Sequence, residues 1–180
     1  MSNSEQAAES KARPRLLPPG GLLLSLLAQA PLVLWRWPLR LAVIPALIGM
    51  AVLAGGVVLN VWADRLFHKS GVGVCPFSPV PGVISEGPYR ITRNPMYLGM
   101  VLISAGVPLM TGLYFNLCAP AALAIWLHVC FVLPEEEYLR QQLGAEYLLY
   151  ASGNPRWLGL PRPQRVKTAA RASQSHERAG

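Results

Sequence analysis

The sequence predicts an all-α integral membrane protein: a helical bundle with about four transmembrane helices and a C-terminal interfacial amphipathic helix. Three observations predict it. Hydrophobic residues make up 52% of the chain and charged residues only 14%, with a mean hydropathy of +0.33, whereas a soluble domain carries about 25% charged residues. The missing charge is concentrated at the two ends and in one central loop, which leaves uncharged runs on the scale of a bilayer core. Lys and Arg residues flank those runs, as anchoring charge does in membrane proteins. A chain of 180 residues has room for one such bundle and no separate soluble domain.

Residues 1–19 are polar, carry Lys11, Arg13 and Arg15, and end in the Pro18-Pro19 break. They read as a disordered cytosolic tail. Their charges lie too far from the start for a signal peptide, and no small-residue cleavage site is clear. The first span runs from Gly20 to Trp35, about 16 residues, which is short for a core of ~30 Å and calls for tilt or local thinning. Trp35 and Trp37 mark an interface, with Arg36 and Arg40 in the short turn. The second span, Leu39 to Ala63, contains Gly49, Gly55 and Gly56, which permit close helix contact.

Residues 64–94 are too rich in Gly and Pro for a long helix and read as the central loop. The third span opens at Asn94-Pro95, a favoured N-cap followed by a favoured first helical residue, and reaches Gly112. A turn over Thr111 to Asn116 leads into the fourth span, Leu117 to Leu133. Past Pro134, Leu139, Leu143, Tyr147 and Tyr150 recur at helical spacing with Glu136, Arg140 and Glu146 on other faces. That pattern predicts one amphipathic helix over Glu135–Tyr150 lying on the membrane surface. Residues 161–180 are basic and poor in apolar side chains, a solvated tail, so the membrane domain is expected over residues 20–160.

The positions of the cations exclude other classes. The formal charge of +7 invites a nucleic-acid reading, yet no basic-aromatic nucleic-acid module is visible. Cys75, Cys118 and Cys130 show no CxxC spacing, and His68, His128 and His176 are scattered, so no metal site is expected. With four spans, fourteen of the 16 Lys and Arg residues fall on one side and only Arg36 and Arg40 on the other. The positive-inside rule then places both termini and the central loop in the cytosol.

One segment reads as a site. Ser85 through Gly99 holds Arg90, Arg93, Tyr89 and Tyr97, a Gly87-Pro88 break and the Asn94-Pro95 helix start, immediately before an apolar run. The expected hairpin of spans three and four brings its mouth beside Glu135-Glu136-Glu137. Each feature alone also has a plain structural role: a cap, a dipole-compensating acidic turn, topology anchors, interfacial aromatic rings. Their joint order and spacing is what points to chemistry.

That order resembles the isoprenylcysteine carboxyl methyltransferase family, and its small bacterial members in particular. The family pattern Gly-x-Tyr-x-x-x-Arg-His-Pro-x-Tyr-x-Gly is matched by Gly87-Pro88-Tyr89 and Arg93-Asn94-Pro95-Met96-Tyr97-Leu98-Gly99. The second half, Glu-Glu-x-x-Leu-x-x-x-Phe-Gly-x-x-Tyr-x-x-Tyr, is matched by Glu135-Glu136-Glu137-Tyr138-Leu139, Leu143-Gly144-Ala145-Glu146-Tyr147 and Tyr150. The resemblance covers roughly Val83 to Trp157. It implies methyl transfer from S-adenosylmethionine to a lipophilic or membrane-associated acceptor, in a multi-pass protein of a bacterial inner membrane. Carried over by position, it implies cofactor contacts at Pro81, Gly82, Val83, Ile84, Tyr89, Asn94, Pro95, Met96, Tyr97 and Glu135, with Arg90, Arg93 and Glu136 as candidate catalytic residues.

Three positions depart from the pattern. Asn94 stands where the family carries histidine, so this position cannot act as a titrating base. Leu143 replaces a phenylalanine. Phe131 stands where the eukaryotic isoprenylcysteine enzymes carry a substrate-facing arginine, which disfavours a carboxylate acceptor. Two alternatives remain open on the sequence: an NADPH-dependent reductase of the sterol reductase type, which shares an Arg-His-Pro-x-Tyr element, and a non-catalytic membrane scaffold of the same fold.

Overall fold

The computed structural model describes residues 17–35, 42–69 and 83–159. Most of both expected tails, the Arg36–Arg40 turn, and the Pro81 and Gly82 positions lie outside the described residues. Among the described residues there is no strand. The helices are α1 (Pro18–Trp35), α2 (Val43–Lys69), α3 (Pro95–Thr111), α4 (Cys118–Leu127), α5 (Leu133–Leu143) and α6 (Ala145–Gly153). Short 3-10 turns form at Gly87–Arg90 and Tyr114–Leu117, and a π turn at His128–Val132 joins α4 to α5.

Three helical stretches are long and apolar enough to cross a membrane: Pro18–Trp35, Val43–Lys69 and Tyr114–Leu143. The third expected span, α3, has 17 residues. At 1.5 Å per residue it is about 25 Å long, slightly under a typical core. Two element bounds differ from those expected. Helix α2 runs on through Asp64 to Lys69, because those residues are polar enough to end a span but contain no Gly or Pro to end a helix. The amphipathic stretch is two helices, not one. Gly144 adopts φ 52° and ψ −119° between α5 and α6, a conformation that side chains do not tolerate, and α5 continues the α4 span through the π turn.

The described residues form two compact units. The first holds the residues up to Val61 together with Met96–Glu136. Its centre is Met100, Leu123 and Leu127, covered by Leu22, Tyr97, Val101, Trp126 and Phe131. Helix α1 packs along α4, with Gly21 under the Trp126 ring. Helices α2 and α3 meet through small residues. A Cβ on Gly56 would stand 2.8 Å from the Gly99 carbonyl oxygen, and one on Gly99 would stand 2.9 Å from that of Gly56. Side chains such as Leu23, Leu24, Leu27, Ile44, Leu47 and Ile48 face outward, as expected when the surrounding solvent is hydrocarbon rather than water.

A buried polar cluster crosses this unit. Pro108 lies inside α3 and has no N–H to give the Ser104 carbonyl one turn back. The Gln29 side-chain amide takes that role, donating to Ser104 O at 3.3 Å, to Ser104 Oγ at 3.0 Å and to Ser25 O at 3.1 Å. The Ser25 and Ser104 hydroxyls are 2.7 Å apart. A backbone acceptor freed by proline at membrane depth is thus satisfied from the neighbouring helix.

The second unit holds Trp62–Pro95 and the residues from Glu137 on. Its interior is aromatic and polar rather than aliphatic. Tyr147, Tyr150, Thr92, Asn94, Pro88, Pro95 and Ala63 are buried in it.

Candidate active site

In the first unit, two site residues expected from the sequence come together. Tyr97 is in the first turn of α3 and Glu135 in the first turn of α5, 38 positions apart, and the Tyr97 hydroxyl donates to Glu135 Oε2 at 2.9 Å. The expected α3–α4 hairpin is therefore present, with its ends side by side. The Phe131 ring lies 6.2 Å from Tyr97 and 5.1 Å from Trp126, so three aromatic rings run in a row next to the carboxylate. The π turn holds Phe131 and immediately precedes α5. Such single wide turns change the face that a helix presents and recur at functional sites. Met96 is half-buried, and its carbonyl accepts from Asn60 Nδ2 at 2.9 Å. Glu136 is buried, while Glu135 is exposed.

In the second unit, the segment Val83–Pro95 is folded against α6 and the turn after it. The Val83 amide donates to Glu146 Oε1 at 3.4 Å, and Ile84 is half-buried. Tyr89 lies in the Gly87–Arg90 turn, and its carbonyl accepts from the Tyr150 hydroxyl at 3.0 Å. Arg90 is exposed. Arg93 is half-buried, with its amide on Pro155 O at 2.9 Å and Nη1 on the Tyr147 hydroxyl at 3.3 Å.

Asn94 is buried and immediately precedes α3, as its sequence signal implies. Its side-chain amide donates to Arg156 O at 3.0 Å, and its backbone N–H to Thr92 Oγ1 at 3.2 Å. Pro95 is buried at the helix start. Burial pushes the Tyr150 phenol well above its usual range; the Arg93 charge pulls the other way, and the Tyr147 and Tyr89 hydroxyls reinforce the rise.

Sequence reasoning missed Thr92, Asn60 and the Pro155 and Arg156 carbonyls as partners of the site segment. Tyr147 and Tyr150 were visible as a motif without a role. Backbone carbonyls have no residue signature, so nothing in the sequence marks Arg156 as the acceptor. Among the described residues no group of His, Cys, Asp and Glu is placed to hold a metal ion.

The model of one family, phospholipid methyltransferase, matches residues 44–146, more than half of the chain. The chain belongs to the phospholipid methyltransferase family. It is 36% identical over 76 residues to protein-S-isoprenylcysteine O-methyltransferase A of Arabidopsis thaliana, which is 39% of this chain and 36% of the relative. It is 34% identical over 79 residues to methyltransferase B of the same plant, 41% of this chain and 37% of the relative. The chain thus spans little more than a third of the length of these curated relatives. No solved structure gives a significant match.

Membership fits the apolar helices of a membrane protein and gives the Tyr97–Glu135 pair a chemical reading. A carboxylate fixed by a phenol beside tilted and edge-to-face rings is a surface that favours a cation, through charge on one side and ring quadrupole on the other.

Proposed function

We propose that this family member transfers the methyl group of S-adenosylmethionine to a lipophilic acceptor at the cytosolic membrane face. The observation that carries the reading is the Tyr97–Glu135 hydrogen bond beside Phe131. When bound, S-adenosylmethionine supplies an electrophilic methyl on a cationic sulfonium. The chain's part is positioning, since in-line displacement needs alignment of donor and acceptor more than acid chemistry. Glu135, held by Tyr97 through one carboxylate oxygen, keeps the other for the cofactor's ammonium or for the field of its sulfonium. The Tyr97 and Tyr89 rings offer faces to the adenine or the cation. Val83, Ile84, Asn94, Pro95 and Met96 are proposed to line the cofactor mainly through backbone, and the family pattern adds Pro81 and Gly82, which lie outside the described residues. Arg90, Arg93 and Glu136 are proposed as candidate catalytic residues.

The acceptor is a neutral or amine-bearing lipid. Phe131 presents a ring where a carboxylate acceptor needs a cation, and a desolvated carboxylate without one costs several kcal/mol. Incubating the purified protein and a membrane lipid extract with methyl-labelled S-adenosylmethionine tests this. The expected product is a labelled, base-stable lipid; a base-labile methyl ester overturns the acceptor reading.

Calorimetry in detergent tests the cofactor, with one site expected and weaker binding by Glu135→Gln and Tyr97→Ala. Unchanged affinity in both variants removes the pair from the site. For the membrane face, a reporter cysteine at Ser85 is expected to resist external labelling of intact cells. Ready labelling from outside reverses the proposed orientation.

A further inference from the structure

The second half of the family-like pattern ends in Tyr147 and Tyr150, and neither is among the residues proposed to touch cofactor or acceptor. Both are buried, at 2% and 7% exposure, and their rings lie 6.3 Å apart. Burying two phenols requires partners for both hydroxyls, and both partners lie in the Tyr89–Asn94 segment. Tyr150 donates to the Tyr89 carbonyl at 3.0 Å, and Tyr147 accepts from Arg93 Nη1 at 3.3 Å.

The turn after α6 adds three more bonds. Pro155 O takes the Arg93 amide at 2.9 Å, while Arg156 O takes both Thr92 Oγ1 at 3.2 Å and Asn94 Nδ2 at 3.0 Å. Asn154 sets the course of that turn, because its backbone and side-chain nitrogens both donate to the Tyr150 carbonyl and close the helix. The segment from Tyr89 to Asn94 forms only one short 3-10 turn of its own, so its conformation depends on these outside partners.

We propose that α6 and the Asn154–Arg156 turn form a clasp that sets the backbone of Tyr89–Asn94, with Tyr150 and Thr92 as positioning residues for the cofactor contacts of that segment; the cofactor part rests on the functional reading above. Asn94 then belongs to the clasp through its side-chain amide nitrogen. All five bonds end on a backbone carbonyl or on the Tyr147 hydroxyl, and burial raises the pKa of the Tyr150 phenol that gives one of them.

Two isosteric changes test it in the full chain. Tyr150→Phe removes one hydroxyl, and Thr92→Val removes another, whereas Thr92→Ser keeps it. Amide hydrogen exchange of the cofactor-free protein is expected to speed up across Tyr89–Asn94 in Tyr150→Phe and Thr92→Val. Affinity for S-adenosylmethionine is expected to fall about two- to thirteenfold in Tyr150→Phe, the range of one lost neutral hydrogen bond, and at least as far in Thr92→Val, where the hydroxyl both donates to Arg156 O and accepts from the Asn94 amide. The same loss should appear in KM for the cofactor, with kcat nearly unchanged, and Thr92→Ser should restore unmodified behaviour.

Unchanged exchange in both isosteric variants overturns the clasp. Faster exchange with unchanged cofactor affinity reduces it to a structural tie and overturns the positioning role. Failure of the unmodified protein to bind S-adenosylmethionine overturns the functional reading, and the cofactor role of the clasp with it.

Discussion

In the unit built on α1, α3 and α4, helices meet by shape; in the unit built on α6, a loop and a helix meet by hydrogen bonds to main-chain carbonyls. Gly56 and Gly99 let two backbones approach until each carbonyl lies under the other's α-carbon, and one polar cluster, Gln29 with Ser25 and Ser104, repairs the gap left by Pro108. In the other unit, Tyr150, Thr92 and Asn94 each meet a carbonyl of a distant residue. The difference follows from what surrounds each backbone. Transmembrane helices satisfy their own backbone and gain by close contact, while an irregular segment has to find partners for its backbone elsewhere.

The comparison breaks most visibly where shape is altered. Gly56→Leu places a branched side chain against Gly99, Leu102 and Ile103, with backbone rather than a movable side chain in the way. The expected cost is about 3 kcal/mol or more, at the upper end of overpacking, and much of the protein should fail to fold. Gly55→Leu, one position along on the same helix, has open space around it and is expected to change little. Thermal unfolding in detergent, followed by circular dichroism, checks the pair; equal losses in both would show that the α2–α3 contact is not set by close approach.

Gly144 offers the matching test in the other unit, and its mechanism is different. Nothing lies within 4 Å of an added Cβ there, yet φ is 52° and ψ is −119°. Gly144→Ala is therefore expected to cost about 1–3 kcal/mol through backbone strain alone. A variant of unchanged stability would indicate that α5 and α6 tolerate a continuous helix.

That break also marks a limit of what the sequence reveals. Apolar runs and the Asn94-Pro95 start are strong local signals, and they mark α1 and the start of α3 closely, while α2 runs six residues past its expected end. Glu135 and Tyr97 were legible as a pair because both belong to patterned motifs at the two ends of one hairpin. Gly144 was legible only as a glycine inside a helical period, and the period of Leu139, Leu143 and Tyr147 concealed the break. Pro108 sits inside an apolar run, yet its effect is felt at Ser104 and answered by Gln29, 75 positions away from that serine. The clasp was the least legible of all. Apart from the Tyr147 hydroxyl, its acceptors are carbonyls of Tyr89, Pro155 and Arg156, and any residue has a carbonyl.

A smaller effect is expected at the polar cluster, where the repair can be dissected. Gln29→Leu leaves the Ser104 carbonyl without its donor and is expected to cost about 0.5–1.5 kcal/mol, the measured scale of hydrogen bonds between membrane helices. Pro108→Ala returns an N–H to α3 in reach of that carbonyl. In the Pro108→Ala background, Gln29→Leu should therefore cost measurably less. A double-mutant cycle reads the coupling directly, and additive costs would show that Gln29 does not serve the acceptor freed by proline.

The smallest change is expected where the second unit carries charge on its surface rather than hydrogen bonds in its interior. Arg140 Nη1 lies 3.3 Å from Glu137 Oε2, one turn along α5, and both side chains are about half exposed, at 52% and 53%. Water and salt screen such a pair, and ordering two long side chains offsets much of the attraction, so Arg140→Ala is expected to cost less than about 0.5 kcal/mol. Unfolding at low and at high salt should give nearly the same difference. A loss as large as that of Gly144→Ala would place Arg140 in the interior network with Arg93 and Tyr147, and would overturn the view that this unit is held by main-chain acceptors rather than by its charges.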